Sequence, residues 1–584
     1  MNASATKEAH WGAEGSKAKR VSFGKSRRTL GTPLTFKENN MNKKTNINPF
    51  AEALKAEDSK ESVSVTENGA LGYARTDSRL VDFFFKVGSM RSMSEDDIKA
   101  QFGGAYAEDA HRAIELMYFV RDCRGGVGEK RVFKVCFDWM VCNAPADAVY
   151  LLPLIPEYGS WKSFFELTDS FRKAAMVLDA AFDLVRKQWN SDITKVDSDE
   201  SVSLMAKWLP SENTSSKDTV RLAKIWRTAL GMDPRSYRKG LSMLRKKIRV
   251  VERDMTLGYW NRINYNAVPA KAGQIYKKAF LKHDEVRRTK WLEDLKAGKE
   301  GVKINTTGLT VADMVKEYRR GRGYGSSLKP EDPTIEAAWR DLVAKNMLPD
   351  TGKSLLPIVD GSGSMFAGID RNSDLEAIDV SIGLGLFLAN INTPEWRGML
   401  IEFGSNPQFF TVPVNASLHD QIQICLRHDD CGSTNIQAVY DLILKTSVEH
   451  GFSQSQIPDL ITFSDMEFDV AFHTPRYDYN WYGNANASAL VKLFDVIAHD
   501  YKRHGYVLPR SVFWNINSIT GTIPLTTNEM GVALLSGFSQ SIMDMVLSRK
   551  LDPLSVLLEK LDSPRYDLVR KALDDKKEDD KQPF

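Results

Sequence analysis

Ser354-Leu-Leu-Pro-Ile-Val-Asp360-Gly-Ser362-Gly-Ser364-Met365 is the stretch that decides the fold of the C-terminal half. An apolar run of strand length, Ser354–Val359, stops at a carboxylate. A turn of glycine and serine follows, and then Ala377–Ile391, apolar at helical spacing, with Ser373 and Glu376 placed as a capping box at its start. Strand, turn and helix in this order open a parallel α/β sheet. The pattern recurs downstream. Strands are expected at Arg397–Phe403, Gln408–Pro413, Leu460–Ser464, Ser511–Ile516 and Gly531–Ser536. Helices are expected at Ser417–Arg427, Ile436–His450, Ala487–Arg503 and Gln540–Ser548, and Arg397–Pro413 reads as an edge hairpin. Sheets of this class bind ligands beyond the carboxyl ends of their strands.

Several oxygen-bearing side chains fall at those ends. Asp360, Ser362 and Ser364 are spaced by glycines that keep bulk away. Thr434 lies in Cys431-Gly-Ser-Thr434-Asn435, just before a helix, and Asp465 ends the run Leu460-Ile-Thr-Phe-Ser-Asp465. Two carboxylates with hydroxyls form a hard, all-oxygen donor set, suited to Mg²⁺ or Mn²⁺ rather than zinc. Each element also has a plainer reading. Thr434 with Gln437 fits a helix capping box, Asp465 a turn, and the Gly-Ser loop an anion nest. Rival motifs fail on spacing. A dinucleotide fingerprint needs glycine at 366, where Phe366 stands. An aspartyl phosphatase wants a second Asp at the position of Ser362, and a nucleophile elbow wants glycine where Met365 is.

Ahead of this half, residues 67–348 carry helical periodicity. Ala107–Val120, Glu129–Cys142, Ser170–Trp189, Thr219–Leu230 and Thr334–Lys345 are joined by short breakers. The expectation is an all-α array of stacked, HEAT-like helical pairs. Residues 1–66 read as a flexible basic arm, with ten Lys/Arg against three Glu in the first 45. Residues 349–550 form the α/β domain and 551–584 a C-terminal helix, Pro553–Leu573, with a frayed charged tail. Arg319-Arg-Gly-Arg-Gly-Tyr-Gly325 reads either as an interdomain linker or as an RGG-type segment. The aromatic, Asn-rich stretch 472–482 reads either as a rim of the site or as packing against the helical half.

Composition sets bounds. The 584 residues are 42% hydrophobic and 27% charged, with a net charge of +3. Such a chain builds a sizeable core, and any polyanion must be met by a patch rather than by the whole surface. Five cysteines are too few and too irregular for a disulfide framework. Cys425-x-x-His428-x-x-Cys431 offers three ligands where structural zinc takes four. No signal sequence and no apolar run near 20 residues is present, so a soluble cytoplasmic protein away from membranes is expected.

The set Asp360-x-Ser362-x-Ser364, Thr434, Asp465 resembles the metal-ion-dependent adhesion site of von Willebrand factor A (vWA) domains. A helical region before such a domain is similar to Ro ribonucleoproteins, whose TROVE module closes into a ring with a vWA domain. The greater similarity is to a helical-plus-vWA family of unknown function in phages, viruses and plants. It rests on Arg121-Asp-x-Arg124-Gly-Gly-x-Gly128-Glu, Tyr158-Gly-Ser-Trp161, Lys207-Trp-Leu-Pro210, Val268-Pro-Ala-Lys271, Tyr276-Lys-Lys-Ala-Phe280 and the Asp360 loop. The resemblance spans about residues 70–550. It implies a TROVE-like helical domain, a Rossmann-like vWA domain with Mg²⁺ at its metal site, and RNA, single-stranded or small and structured, as the partner.

One segment tests the RNA expectation by its own geometry. Residues 221–253 hold eleven Lys/Arg against two acids. At helical spacing Arg238, Arg245, Arg249 and Arg253 fall within about 80° of one another, and Leu241, Leu244, Ile248 and Val251 lie roughly 120° away. Such a stripe suits phosphate, though a solvated helix face is the plainer reading. Arg221, Lys224 and Arg227 on the preceding helix would widen it. The expectation is a non-enzymatic, Ro-like RNA-binding protein whose metal site contacts an acidic group. The alternative is a vWA adaptor that offers its metal to an acidic protein partner such as a ring ATPase. No nucleophile and base pair points to an enzyme.

Overall fold

The computed structural model describes residues 63–579 apart from 249–250, 307, 351–353, 370–373, 429–430 and 471–491. Helices dominate up to residue 348, and a six-stranded α/β domain follows. Two short hairpins sit within the helical half, where the sequence shows no alternation: β1 (Val63–Val65) with β2 (Leu71–Tyr73), and β3 (Arg319–Arg320) with β4 (Ser327–Leu328). Two or three residues are too few to carry a period-2 signal.

The main sheet holds β5 (Leu355–Asp360), β6 (Met399–Phe403), β7 (Gln408–Thr411), β8 (Asp459–Ser464), β9 (Ser511–Asn515) and β10 (Val532–Ser536). Their order is β10-β9-β8-β5-β6-β7. All neighbours are parallel except β7, which closes the expected edge hairpin with β6. From β5 the chain first crosses to β6 on one side and later returns to β8 on the other. The direction of winding therefore reverses between β5 and β8, and their carboxyl ends form the switch point where such sheets open a crevice.

The Ala377–Ile391 helix fixes β5 from one face and is buried along its whole length. Two glycines allow this. A Cβ on Gly385 would lie 2.3 Å from Val359 Cγ2, and one on Gly383 would lie 3.0 Å from the Val311 carbonyl carbon. The helix is thus wedged between β5 and the Val311–Tyr318 helix of the first half. Its cap is Glu376, paired reciprocally with Asp379; Ser373 of the expected capping box lies outside the described residues. Arg319 pins the same end, donating to Asp379 at 2.8 Å and to Glu376 at 2.7 Å from a buried position. The 319–325 segment is therefore a clasp between the halves, with Arg319 buried in it rather than exposed on a loose linker.

The first and last described segments cross over to the far half. The β1–β2 hairpin docks on the α/β domain, where Tyr73 and Ile523 exchange backbone hydrogen bonds of 2.8 Å. At the other end Arg565 meets buried Asp122 with two bonds, of 2.9 and 3.0 Å, and Tyr566 adds a third at 3.3 Å. The expected single helix Pro553–Leu573 is broken by Pro564 into Pro553–Leu561 and Asp567–Asp579, since proline supplies no amide there. The tail up to Asp579 is helical, not frayed, and Lys576 pairs with Asp147.

Candidate metal centre

Asp360 closes β5 in full burial. Its Oδ1 accepts the Ser362 amide at 2.9 Å, which turns the chain back toward the strand end, and its Oδ2 accepts the Ser464 hydroxyl. The next turn is 3₁₀, Gly363–Phe366, and it brings the Ser362 and Ser364 hydroxyls within 3.1 Å of each other. Asp465 follows β8 directly, buried and accepting a hydrogen bond from Ser364. Four of the five expected ligands thus share one hydrogen-bonded cluster at the switch point. Thr434 lies on the adjoining loop, whose Gly432 carbonyl accepts the Gly363 amide at 3.3 Å. The capping-box reading of Thr434 does not hold, because the following helix is capped by Asn435, which accepts the Ala438 amide at 3.0 Å.

The electrostatics follow from burial. Loss of solvent, and then the charge of Asp360, push the Asp465 carboxyl up to about 7, against the Ser364 hydrogen bond. Two buried carboxylates this close repel each other, and a cation between them removes the repulsion. The donor set of Asp360, Ser362, Ser364, Thr434 and Asp465 fits a hard divalent ion with room for water. Among the described residues no group of three or more His, Cys, Asp or Glu could hold a metal. Zinc-type ligation through Cys425, His428 and Cys431 therefore has no support, and His428 instead stacks on Phe410 at 4.4 Å. Two non-glycine residues take left-handed backbone at the rim, Cys431 (φ 48°) and Met466 (φ 65°), a strain that clusters at functional loops.

Sequence reasoning missed several supporting groups. Ser464 holds Asp360. Ser381 accepts the Asp360 amide at 3.2 Å and donates to the Phe463 carbonyl at 2.9 Å. Glu467 and Asn68 frame Thr434 from the side of the N-terminal hairpin, as detailed below. A serine within an apolar strand has a signal only if its neighbour is already suspected. Asn68 has none, since it lies 366 residues from Thr434.

The expected RNA-binding residues separate into several environments. Arg221 is held by Asp169 and Asp218, and Arg227 by Glu212 at 2.9 Å. Arg245 is turned inward, where it caps the Ala206 and Leu209 carbonyls and Ser211 at 2.8 to 2.9 Å, and burial lowers its pKa. Lys224 is exposed, Arg238 meets Glu212 at 3.5 Å and Arg253 meets Asp254 at 3.9 Å, while Arg249 lies outside the described residues. Arg238, Arg245 and Arg253 do line one cleft of about 750 Å³ with Lys207. A larger cleft of about 1460 Å³ lies where the halves meet. Arg91, Arg124, Lys130, Arg131, Lys134 and Lys271 line it against Glu129, Glu166 and Asp313, and it extends to Gly368 and Ile369 beyond the Asp360 loop. No helix among the described residues is long and apolar enough to cross a membrane.

Comparison with known proteins follows this division. Residues 66–168 and 232–353 match a domain of unknown function (DUF2828), and residues 354–582 match another (DUF7788). An uncharacterised protein of Acanthamoeba polyphaga mimivirus is 28% identical over 543 residues, covering 86% of this chain and 87% of the viral protein. The boundary near residue 353 falls just before β5. The chain is similar, half by half, to these two domain families: a helical domain first, then an α/β domain with a mostly parallel six-stranded sheet.

Proposed function

We propose that this protein is a non-enzymatic, Ro-like RNA-binding protein with a vWA-type Mg²⁺ site. The observation that carries the RNA reading is the junction cleft, with six basic side chains against three carboxylates. A deep cleft lined from both halves suits a single strand more than a duplex. Three of its cations are held in partly exposed pairs, Lys130 and Lys134 with Glu166 and Lys271 with Asp313, which phosphate can replace at small cost because such pairs are weak. Arg91 and Arg131 are tied to buried Glu129 and to the Met90 and Met93 carbonyls. Arg238, Arg253 and Lys207 at the smaller cleft extend the same chemistry. Arg245 serves there as a support, so Arg245→Glu tests folding rather than RNA.

The test is a salt titration of single-stranded RNA binding. Each phosphate neutralised steepens log affinity against log salt by about 0.7 for single strands. Lys130→Glu with Lys134→Glu flattens that slope more than Arg238→Glu with Arg253→Glu. A flat response in the unaltered protein, or metal-dependent phosphodiester cleavage lost in Asp465→Ala, contradicts the proposal.

A second reading, an adaptor for an acidic protein partner, is favoured by one observation. The sheet edge exposes Phe409 and Met399 beside an apolar cleft of about 470 Å³ that also takes in Trp396 and Phe452. On that reading Phe409→Glu with Met399→Glu abolishes capture of a partner and leaves RNA binding intact.

A further inference from the structure

The N-terminal hairpin belongs to the metal site. We infer that Asn68 is a positioning residue for the Thr434 ligand, and that docking of the β1–β2 hairpin and cation binding are thermodynamically linked. This rests on the metal reading above. Asn68 Nδ2 has two hydrogens. One is donated to the Glu467 carbonyl at 2.6 Å and the other to Thr434 Oγ1 at 3.4 Å, the long end of a hydrogen bond. The amide therefore bridges the two loops that carry Thr434 and Asp465.

Two further contacts hold the hairpin tip in place, and a third ties the strand they meet to Thr434. The Thr66 hydroxyl donates to the Phe468 carbonyl at 2.6 Å, Gly69 forms an antiparallel bridge with Asp469, and the Asp469 amide donates to the Thr434 carbonyl at 3.0 Å. Glu467 extends the network to Asp465. Its amide donates to Asp465 Oδ1 at 3.2 Å, and its buried carboxylate accepts the Glu67 amide at 2.7 Å. The other oxygen of that carboxylate accepts from Ser518, Ile519 and Thr520 at 2.8 to 2.9 Å. Asp465, Glu467, the hairpin and Thr434 are thus joined by one chain of hydrogen bonds. Its consequence is that Thr434 Oγ1 has its direction set by a residue outside the α/β domain.

Fixing a ligand's orientation before binding lowers the cost of ordering it, and linkage is reciprocal: what the hairpin adds to cation affinity, the cation adds to hairpin docking. The test combines Mg²⁺ calorimetry on the full chain with hydrogen exchange of residues 63–73. Asn68→Ala weakens Mg²⁺ by about fivefold or more, while metal-free melting barely moves. In the unaltered protein, saturating Mg²⁺ slows exchange across the hairpin by a similar factor. Equal Mg²⁺ affinity in Asn68→Ala, or hairpin exchange indifferent to Mg²⁺, overturns the linkage and leaves the metal site standing. Absence of a Mg²⁺ heat in both the unaltered protein and Asp360→Ala removes the metal reading and this inference together.

Discussion

Asp465 states the chemistry of the site in one side chain. In the metal-free fold, burial and Asp360 hold its carboxyl at about 7, whereas in the unfolded chain it ionises near 4. Between those values the folded protein keeps a proton that the unfolded chain has released. Metal-free stability is therefore highest below pH 4 for this group and declines as pH rises toward 7. On the proposed metal reading a divalent cation takes the place of that proton, so the rise in melting temperature given by Mg²⁺ should be small at pH 5.5 and should grow up to pH 8. Thermal scans at matched ionic strength check this, and a Mg²⁺ effect independent of pH contradicts it. Asp465→Asn should flatten the pH profile and abolish the Mg²⁺ gain. The sequence makes Asp360, Ser362, Ser364, Thr434 and Asp465 legible because each falls at or just after a strand end or in a loop before a helix. It hides Ser464, Ser381 and Asn68, whose roles exist only once three loops meet.

At the scale of elements, the strands and the Ala377–Ile391 helix are readable because full burial writes a continuous apolar run. The glycines in that helix are readable only in part. Gly383 and Gly385 lower helix propensity, and the gain is close approach to Val311 on one side and Val359 on the other. Gly385→Ala should destabilise the protein by about 1 to 3 kcal/mol or more by overpacking against β5, measured by urea denaturation. A neutral result would mean that the helix can shift away from the strand that positions Asp360. The arginine stripe carries the opposite lesson. Helical spacing placed Arg238 and Arg245 on one face correctly, but spacing cannot tell which neighbour the face meets. Arg245 is spent on carbonyls of the Met205–Trp208 turn and its exit.

At the scale of the molecule, the two halves are interlocked rather than strung in series. The first hairpin belongs to the α/β surface and the last helices belong to the helical half. The Arg121–Glu129 motif takes part in this crossing through Asp122, and its Gly126 and Glu129 pack within the helical half. Asp122 receives Arg565, Gly126 leaves 2.1 Å between a would-be Cβ and the Phe119 carbonyl, and Glu129 holds Arg91. Arg565→Ala strands the buried Asp122 carboxylate and should cost about 3 kcal/mol, with faster proteolysis after residue 550. Unchanged proteolysis would mean that the C-terminal helices dock without the clasp. Nothing in the local sequence announces such a contact, because its partners are 443 residues apart.

The central claim is that a hard cation sits between the carboxyl ends of β5 and β8. The most direct measurement is an anomalous difference map from crystals grown with Mn²⁺. The account predicts one strong peak shared by the Asp360 and Asp465 carboxylates and the Ser362, Ser364 and Thr434 hydroxyls, directly or through water. A map with no peak there, or with its peaks elsewhere on the surface, contradicts it.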